Sequence, residues 1–415
     1  MNNFAHNRQQ LYSNLPESSI ILLFAGSLKH KSADAYYPHW TNRDFYYITG
    51  MTEPDIVFTA YRTKGVVKEI LWIVDREPNM VRWIGDVIHK EEAYAISGIQ
   101  DVRYIKDLSA FLGSVLTKTL YTDIYTVFSR RSLDTTPSVE EVFVQDLLKK
   151  YPFVSFHSIS PSIHTLRMIK SETEIEAIEK AIHITDIGLR SIMKNLSPGK
   201  TENLMEAYFD FELKRNKVKW HAFNTIAASG KNATTLHYEE NNAPLLDGDL
   251  ILFDLGAQWD LYNADISRTF PINGTFSKQQ VSLYNIVLQA NKKVIASIQP
   301  GLEFSQLQTI AKESLYEGLK QLNMVQTMED LSEYYFHGVS HFLGLDTHDV
   351  GDTNVKLSPG MVFTVEPGLY VRELGIGIRI EDDVLVTDKG CRVLSNQIPK
   401  EIHEIEDILQ QHEMH

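Results

Sequence analysis

The sequence predicts an α/β (α+β) chain in two parts, a small α/β domain over residues 1–160 and a larger pseudo-twofold domain over residues 165–415. Three observations carry that expectation. The chain has 415 residues, more than one hydrophobic core usually serves. Its first part mixes short β-rich runs with helical stretches, and its second part repeats a unit of two helices followed by acid-bearing strands.

In the first part, "SIILLFAG", "RDFYYITG", "DIVFTAYR" and "EILWIVD" read as β-rich runs. "SVEEVFVQDLLKKY" reads as a helix opened by a Ser-x-x-Glu capping box at Ser138 and Glu141. A stretch of little periodicity, "FHSISPSIHTLRMIK", then marks the domain boundary. Beyond it, Ser171 and Glu174 form a capping box that opens a long helix through Leu196, which ends in "LSPGK". Ser277 and Gln280 open a second such helix, which ends in "IQPGL". Each is followed by a further helical segment, "TENLMEAYFDFELKRN" or "FSQLQTIAKESLYEGLKQL". Strands come next, "LLDGDLILFD" and "KLSPGMVFTVE", with Gly248 and Gly360 each six residues before an acid, Asp254 or Glu366. Two copies related by a pseudo-twofold would join their sheets and pack the helices outside.

Composition narrows the function. The chain is 43% hydrophobic and 23% charged, which reads as globular, and its net charge of −14 argues against nucleic-acid and anionic-membrane partners. The longest apolar run, "IILLF" at 20–24, is far too short to span a bilayer, and the N-terminus "MNNFAHNRQQLYSNL" lacks the profile of a secretory signal. Cys391 is alone, so no internal disulfide forms, which fits a reducing, cytoplasmic setting.

The acids and histidines carry the chemistry. "LILFDLG" and "NADISRTF" read as a hairpin centred between Trp259 and Asp260, which opposes Asp254 to Asp265. A second hairpin centred between Glu373 and Leu374 opposes Glu366 to Glu381. Like charges facing each other on apolar strands are destabilising unless a cation lies between them. Four carboxylates suffice for two divalent ions. "HGVSHFLGLDTHDVG" adds His337, His341 and His348; Gly338 and Gly344 argue against a regular helix there. One imidazole joined to four carboxylates gives an oxygen-rich set that suits Mn²⁺, with Co²⁺, Fe²⁺ or Zn²⁺ as other occupants. The remaining histidines, with His237 of "TTLHYEENN", are then free for hydrogen bonding and proton transfer.

"FDLGAQWDLYNADISRTF", "HGVSHFLGLDTHDVG", "VEPGLY" and "GIGIRIEDD" resemble, in order and spacing, the metal-binding motifs of the dinuclear metallopeptidases with the pita-bread fold, and most closely bacterial Xaa-Pro aminopeptidase. "SADAYYP" and "DFYYITG" extend the likeness into the first domain. The resemblance implies a pita-bread catalytic domain and two divalent ions per subunit, held by Asp254, Asp265, His341, Glu366 and Glu381, with Asp265 and Glu381 bridging. It implies that His237, His337 and His348 surround the substrate, and that Arg379 orders the site from the strand of Glu381. The activity it implies is removal of the N-terminal residue from peptides with proline second, by attack of a metal-bridging hydroxide, with Glu366 as the proton-transferring base. A homo-oligomer, dimer or tetramer, is a further expectation of the likeness. Prolidase shares the fold and the metal site. A peptide- or protein-binding relative without activity would lack several of the five ligands, and methionine aminopeptidase lacks the large first domain. One departure is "YPHWTNRDF", where Trp40, Thr41, Asn42 and Arg43 replace the family's usual Arg and Gln after Tyr-Pro.

Overall fold

The computed structural model describes residues 4–13, 15–76, 78–118, 121–128 and 136–411; the first three residues of the N-terminal segment thus lie outside it. The chain divides into two compact units, Met1–Arg167 and Met168–His415.

The first unit is built on a mixed six-stranded sheet. Ser19–Phe24 lies inside the sheet, antiparallel to Val57–Thr63 and parallel to Asp123–Thr126. All six of its residues are buried, as a continuous apolar run requires when both faces of a strand are covered. Ile20, Leu22, Trp72 and Ile124 pack there against Leu108, Leu112 and Leu147 from the flanking helices. "RDFYYITG" departs from the sequence expectation, because Arg43–Thr49 is a helix. The Asn42 carboxamide oxygen accepts from the Phe45 N–H and Gly50 closes the helix in the left-handed conformation. All seven residues are buried, so no polar face marks the 3.6-residue period. The aperiodic "FHSISPSIHTLRMIK" also holds regular structure, the edge strand Ser155–Ser158 and the helix Ser160–Met168.

In the second unit the capping boxes open helices where the sequence placed them. Ser171 caps Glu172–Asn195, Ser277 caps Lys278–Ser297, and the helices Glu202–Arg215 and Phe304–Gln321 follow. The first pair crosses closely: a Cβ on Gly188 would sit 2.2 Å from the Phe209 ring, so the contact needs glycine there. Each pair precedes an antiparallel hairpin, Leu250–Pro271 in the first copy and Val362–Thr387 in the second. The two copies join edge to edge: the Glu381 N–H donates to the Ser267 carbonyl at 3.1 Å, and the Arg379 N–H to the Thr269 hydroxyl at 3.2 Å. No helix among the described residues is long and apolar enough to cross a membrane.

The two hairpins compare differently with the sequence. The second has the expected register: Val365 pairs with Asp382 and Gly368 with Arg379, which brackets Glu366 and Glu381 as opposed positions. The first is shifted by two. Asp254 faces Ser267, not Asp265, because the turn is centred between Asp260 and Leu261 rather than one residue earlier. Both turn residues have positive φ, 47° and 66°, the geometry of a two-residue turn that matches strand twist. Neither Asp-Leu residue is the glycine that usually signals such a turn, which is why the sequence misplaced it.

Candidate metal centre

A cavity of about 310 Å³ opens where the two hairpins meet. It is lined by Asp254, Asp265, Glu366 and Glu381, by His237, His337, His341 and His348, by Arg379, and by Leu236, Gly338 and Ser340. Every site residue singled out in the sequence is therefore in one place.

Each side chain has an identifiable support. Asp254 is the penultimate residue of the strand Leu250–Leu255, while Asp265 precedes Ile266–Pro271 and donates its N–H to Asp383 Oδ2 at 3.2 Å. The histidine segment is extended rather than helical, lying antiparallel along Val362–Val365. Its anchors are Leu343 N–H to Val362 O, Thr364 N–H to His341 O, and Glu366 N–H to Val339 O, at 3.1, 3.0 and 2.9 Å. That pairing explains why His337 and His341, four apart, do not share a helix face.

The hydrogen bonds orient two imidazoles. His341 Nδ1 lies 3.1 Å from the Phe342 carbonyl, which can only accept, so Nδ1 carries the proton. Its Nε2 then faces Asp265 Oδ2 and Glu366 Oε1, both at 3.3 Å. His337 Nδ1 likewise donates to the Gly338 carbonyl at 2.7 Å, so Nε2 accepts from the Tyr370 hydroxyl at 2.8 Å, and that hydroxyl accepts from Arg379 Nη1 at 3.1 Å. Burial first, then the Arg379 charge, lowers His337 to about 4, in agreement with a neutral ring.

The carboxylates are out of balance without a cation. Burial, then the neighbouring charges of Asp254, Asp383 and Glu366, pushes Asp265 well above the ordinary range. Glu381 rises well above it for the same first reason, with Asp265 and Glu366 adding to the effect, and burial raises Glu366. Arg379 Nη2 pairs with Asp254 Oδ2 at 2.5 Å, one positive charge among four acids. A nitrogen of His341 and a carboxylate oxygen from each of Asp265 and Glu381 lie within 4.8 Å of one another. An imidazole nitrogen and buried carboxylates converging on one space form a donor set that a divalent cation fits.

Three groups escaped sequence reasoning. The Ser267 hydroxyl accepts from Arg379 Nε at 2.7 Å and lies 2.7 Å from Glu381 Oε2 and 3.1 Å from Asp254 Oδ1. Tyr370 links Arg379 to His337. Asp383 accepts from Asp265, and burial pushes its carboxyl well above the usual range. The correct turn in the first hairpin would have revealed Ser267, opposite Asp254. Below the cavity, the fully buried Arg268 donates to the carbonyls of Ser267 and Glu381 and to Asp382 Oδ1, the last at 2.8 Å. Lys400 completes that compensated cluster, and against the effect of burial the two cations hold Asp382 well below its ordinary value.

Residues 176–388 match the profile of metallopeptidase family M24, and residues 4–125 match that of the aminopeptidase P N-terminal domain. The chain belongs to metallopeptidase family M24. It is 34% identical to the Xaa-Pro aminopeptidase of Haemophilus influenzae over 98% of this chain and 96% of that one. Its structure is similar to a candidate aminopeptidase P from Bacillus anthracis, with a TM-score of 0.97, 46% identity and 99% and 98% of the two chains covered. It is also similar to zinc-substituted Escherichia coli aminopeptidase P in complex with product, with a TM-score of 0.91, 30% identity and 99% and 98% coverage. As an M24 member with the aminopeptidase P arrangement of domains, the chain is a hydrolase, a metallo-exopeptidase, and its cavity binds divalent metal.

Proposed function

We propose that this M24 enzyme removes the N-terminal residue from peptides with proline in the second position. The observation that carries the reading is the convergence of four carboxylates and Nε2 of His341 on one cavity, in a chain whose full-length relative is a Xaa-Pro aminopeptidase. Asp254, Asp265, His341, Glu366 and Glu381 would hold two divalent ions. Mn²⁺ is the preferred occupant, because the set offers many oxygens and one nitrogen. When bound, the ions supply Lewis acidity to the attacking water and to the scissile carbonyl.

The chain's own groups do the rest. Glu366, raised by burial and 3.3 Å from His341 Nε2, takes the proton of the nucleophile. It passes that proton to the leaving nitrogen, a requirement when the scissile bond is a tertiary amide of proline. His237 and His348 hydrogen-bond the substrate as its carbonyl becomes tetrahedral. His337, neutral and tied to Tyr370, forms a fixed wall, and Arg379 orients Asp254. Homo-oligomerisation and a cytoplasmic location belong to the same reading; Trp83, 84% exposed beside Met80, is apolar surface that a second subunit would cover.

Mass spectrometry of products from Mn²⁺-loaded protein tests the specificity, with an Arg-Pro-Pro tripeptide and an Ala-Pro dipeptide as substrates. Release of arginine from the tripeptide, lost with chelator, is expected. Cleavage of the dipeptide alone would make the enzyme a prolidase.

A further inference from the structure

The cavity's His237 sits on a loop, and its ring is exposed, with no hydrogen bond from the described residues to hold it. A group that must meet substrate from such a position needs its backbone fixed from elsewhere. The fixing group is Glu202, fully buried in the first turn of the helix Glu202–Arg215.

Its carboxylate accepts five hydrogen bonds from neutral donors. Oε1 receives the Ser229 N–H and hydroxyl, each at 2.7 Å, and the Asn232 carboxamide at 3.2 Å. Oε2 receives the Tyr238 hydroxyl at 2.8 Å and the Ala243 N–H at 2.9 Å. The Glu202 N–H returns a bond to the Ala243 carbonyl at 3.0 Å. All these donors belong to residues 229–243, the segment that leaves the strand Ile226–Ser229, turns through Gly230–Thr234 and carries Leu236 and His237 past the cavity. One turn along the same helix face, Glu206 accepts from the Asn241 carboxamide at 2.9 Å, which pins the end of the loop. Burial, then the bond to Glu202, pushes the Tyr238 phenol upward, so that hydroxyl stays protonated as a donor. A buried carboxylate is costly unless its lone pairs are satisfied. Here the loop itself supplies that satisfaction, so loop and carboxylate hold one conformation together.

We infer that Glu202 is a positioning residue for peptide hydrolysis, acting through the loop and Tyr238 to place His237 against the substrate. The inference rests on the reading of His237 as a substrate-contacting group. Glu202→Gln puts an N–H where one donor set requires an acceptor, and Tyr238→Phe removes a single donor beside His237.

The test is a double-mutant cycle read as kcat/KM on Arg-Pro-Pro, with metal content measured in parallel. His237→Ala is expected to lower kcat/KM, and Glu202→Gln to lower it about tenfold or more with full metal content. Combined, the two should cost little more than His237→Ala alone. If Glu202→Gln costs the same factor with and without His237, the positioning role is overturned while the role of His237 stands. If His237→Ala is silent, the reading of His237 fails and the inference with it. Should Glu202→Gln not fold, the same cycle with Tyr238→Phe decides: a smaller loss that disappears in the His237→Ala background supports the inference, and an additive loss or none contradicts it.

Discussion

The proposed mechanism asks Glu366 to do two things at once, ligate metal and move a proton, and its surroundings suit both. It faces His341 Nε2 at 3.3 Å, accepts weakly from the Thr364 hydroxyl at 3.3 Å, and is raised by burial. Glu366→Gln should therefore keep the fold and lower kcat by about 10²-fold or more, the scale of a lost general base. A near-normal rate with metal bound would remove Glu366 from the mechanism. His341→Ala should reduce the occupancy of one ion in elemental analysis of the purified protein; full occupancy of both would mean that His341 is no ligand. Ser267 makes a subtler case. It joins Arg379 to Glu381 and Asp254, and removal of such a partner typically weakens metal binding about 10–100-fold. Ser267→Ala should thus raise the Mn²⁺ dissociation constant by that factor in calorimetric titration, and an unchanged constant would make the hydroxyl a bystander.

The elements show where sequence reading succeeds and where it stops. Capping boxes at Ser138, Ser171 and Ser277 located three helix starts, because a cap is a local hydrogen-bond pattern written in residues three apart. The helix Arg43–Thr49 was missed because complete burial erased its periodicity. The candidate ligands were visible as acids interrupting apolar strands, a conflict that tertiary structure must resolve. Ser267, Tyr370 and Glu202 were not, since ordinary polar residues gain meaning only from the partner opposite them, and a turn misplaced by one residue hid Ser267. The first hairpin also carries a close approach that only glycine permits: a Cβ on Gly256 would lie 1.9 Å from the Ala264 carbonyl oxygen. Gly256→Ala must push the strand that bears Asp254 away from the segment Ala264–Asp265, so it should destabilise the protein by about 2 kcal/mol or more in denaturant titration. A variant of wild-type stability would show that the hairpin yields without cost.

At the scale of the molecule, the second unit folds around an electrostatic deficit that its metal removes. Asp265, Glu381 and Asp383 all sit well above the ordinary carboxylate range when no cation is present. They bind protons more tightly folded than unfolded, so the metal-free protein is most stable at and below the ordinary carboxylate pKa of about 4, as far as these groups decide. That contribution is lost as pH rises through their elevated values. Chelation should therefore lower Tm at pH ~8, and the gap between loaded and chelated protein should narrow as pH falls toward ~5. A gap independent of pH would mean that the acids are not what the metal relieves. The compensated cluster of Arg268, Asp382 and Lys400 is common to both forms and cancels in that comparison.

The central claim is that the cavity is a metal-dependent peptidase site, and titrating the metal-free protein with Mn²⁺ tests it most directly, with arginine release from Arg-Pro-Pro followed while native mass spectrometry counts ions per chain. The account predicts no release without metal, and activity that grows as the cavity fills with two ions. Release at full rate from protein shown to be metal-free would contradict it.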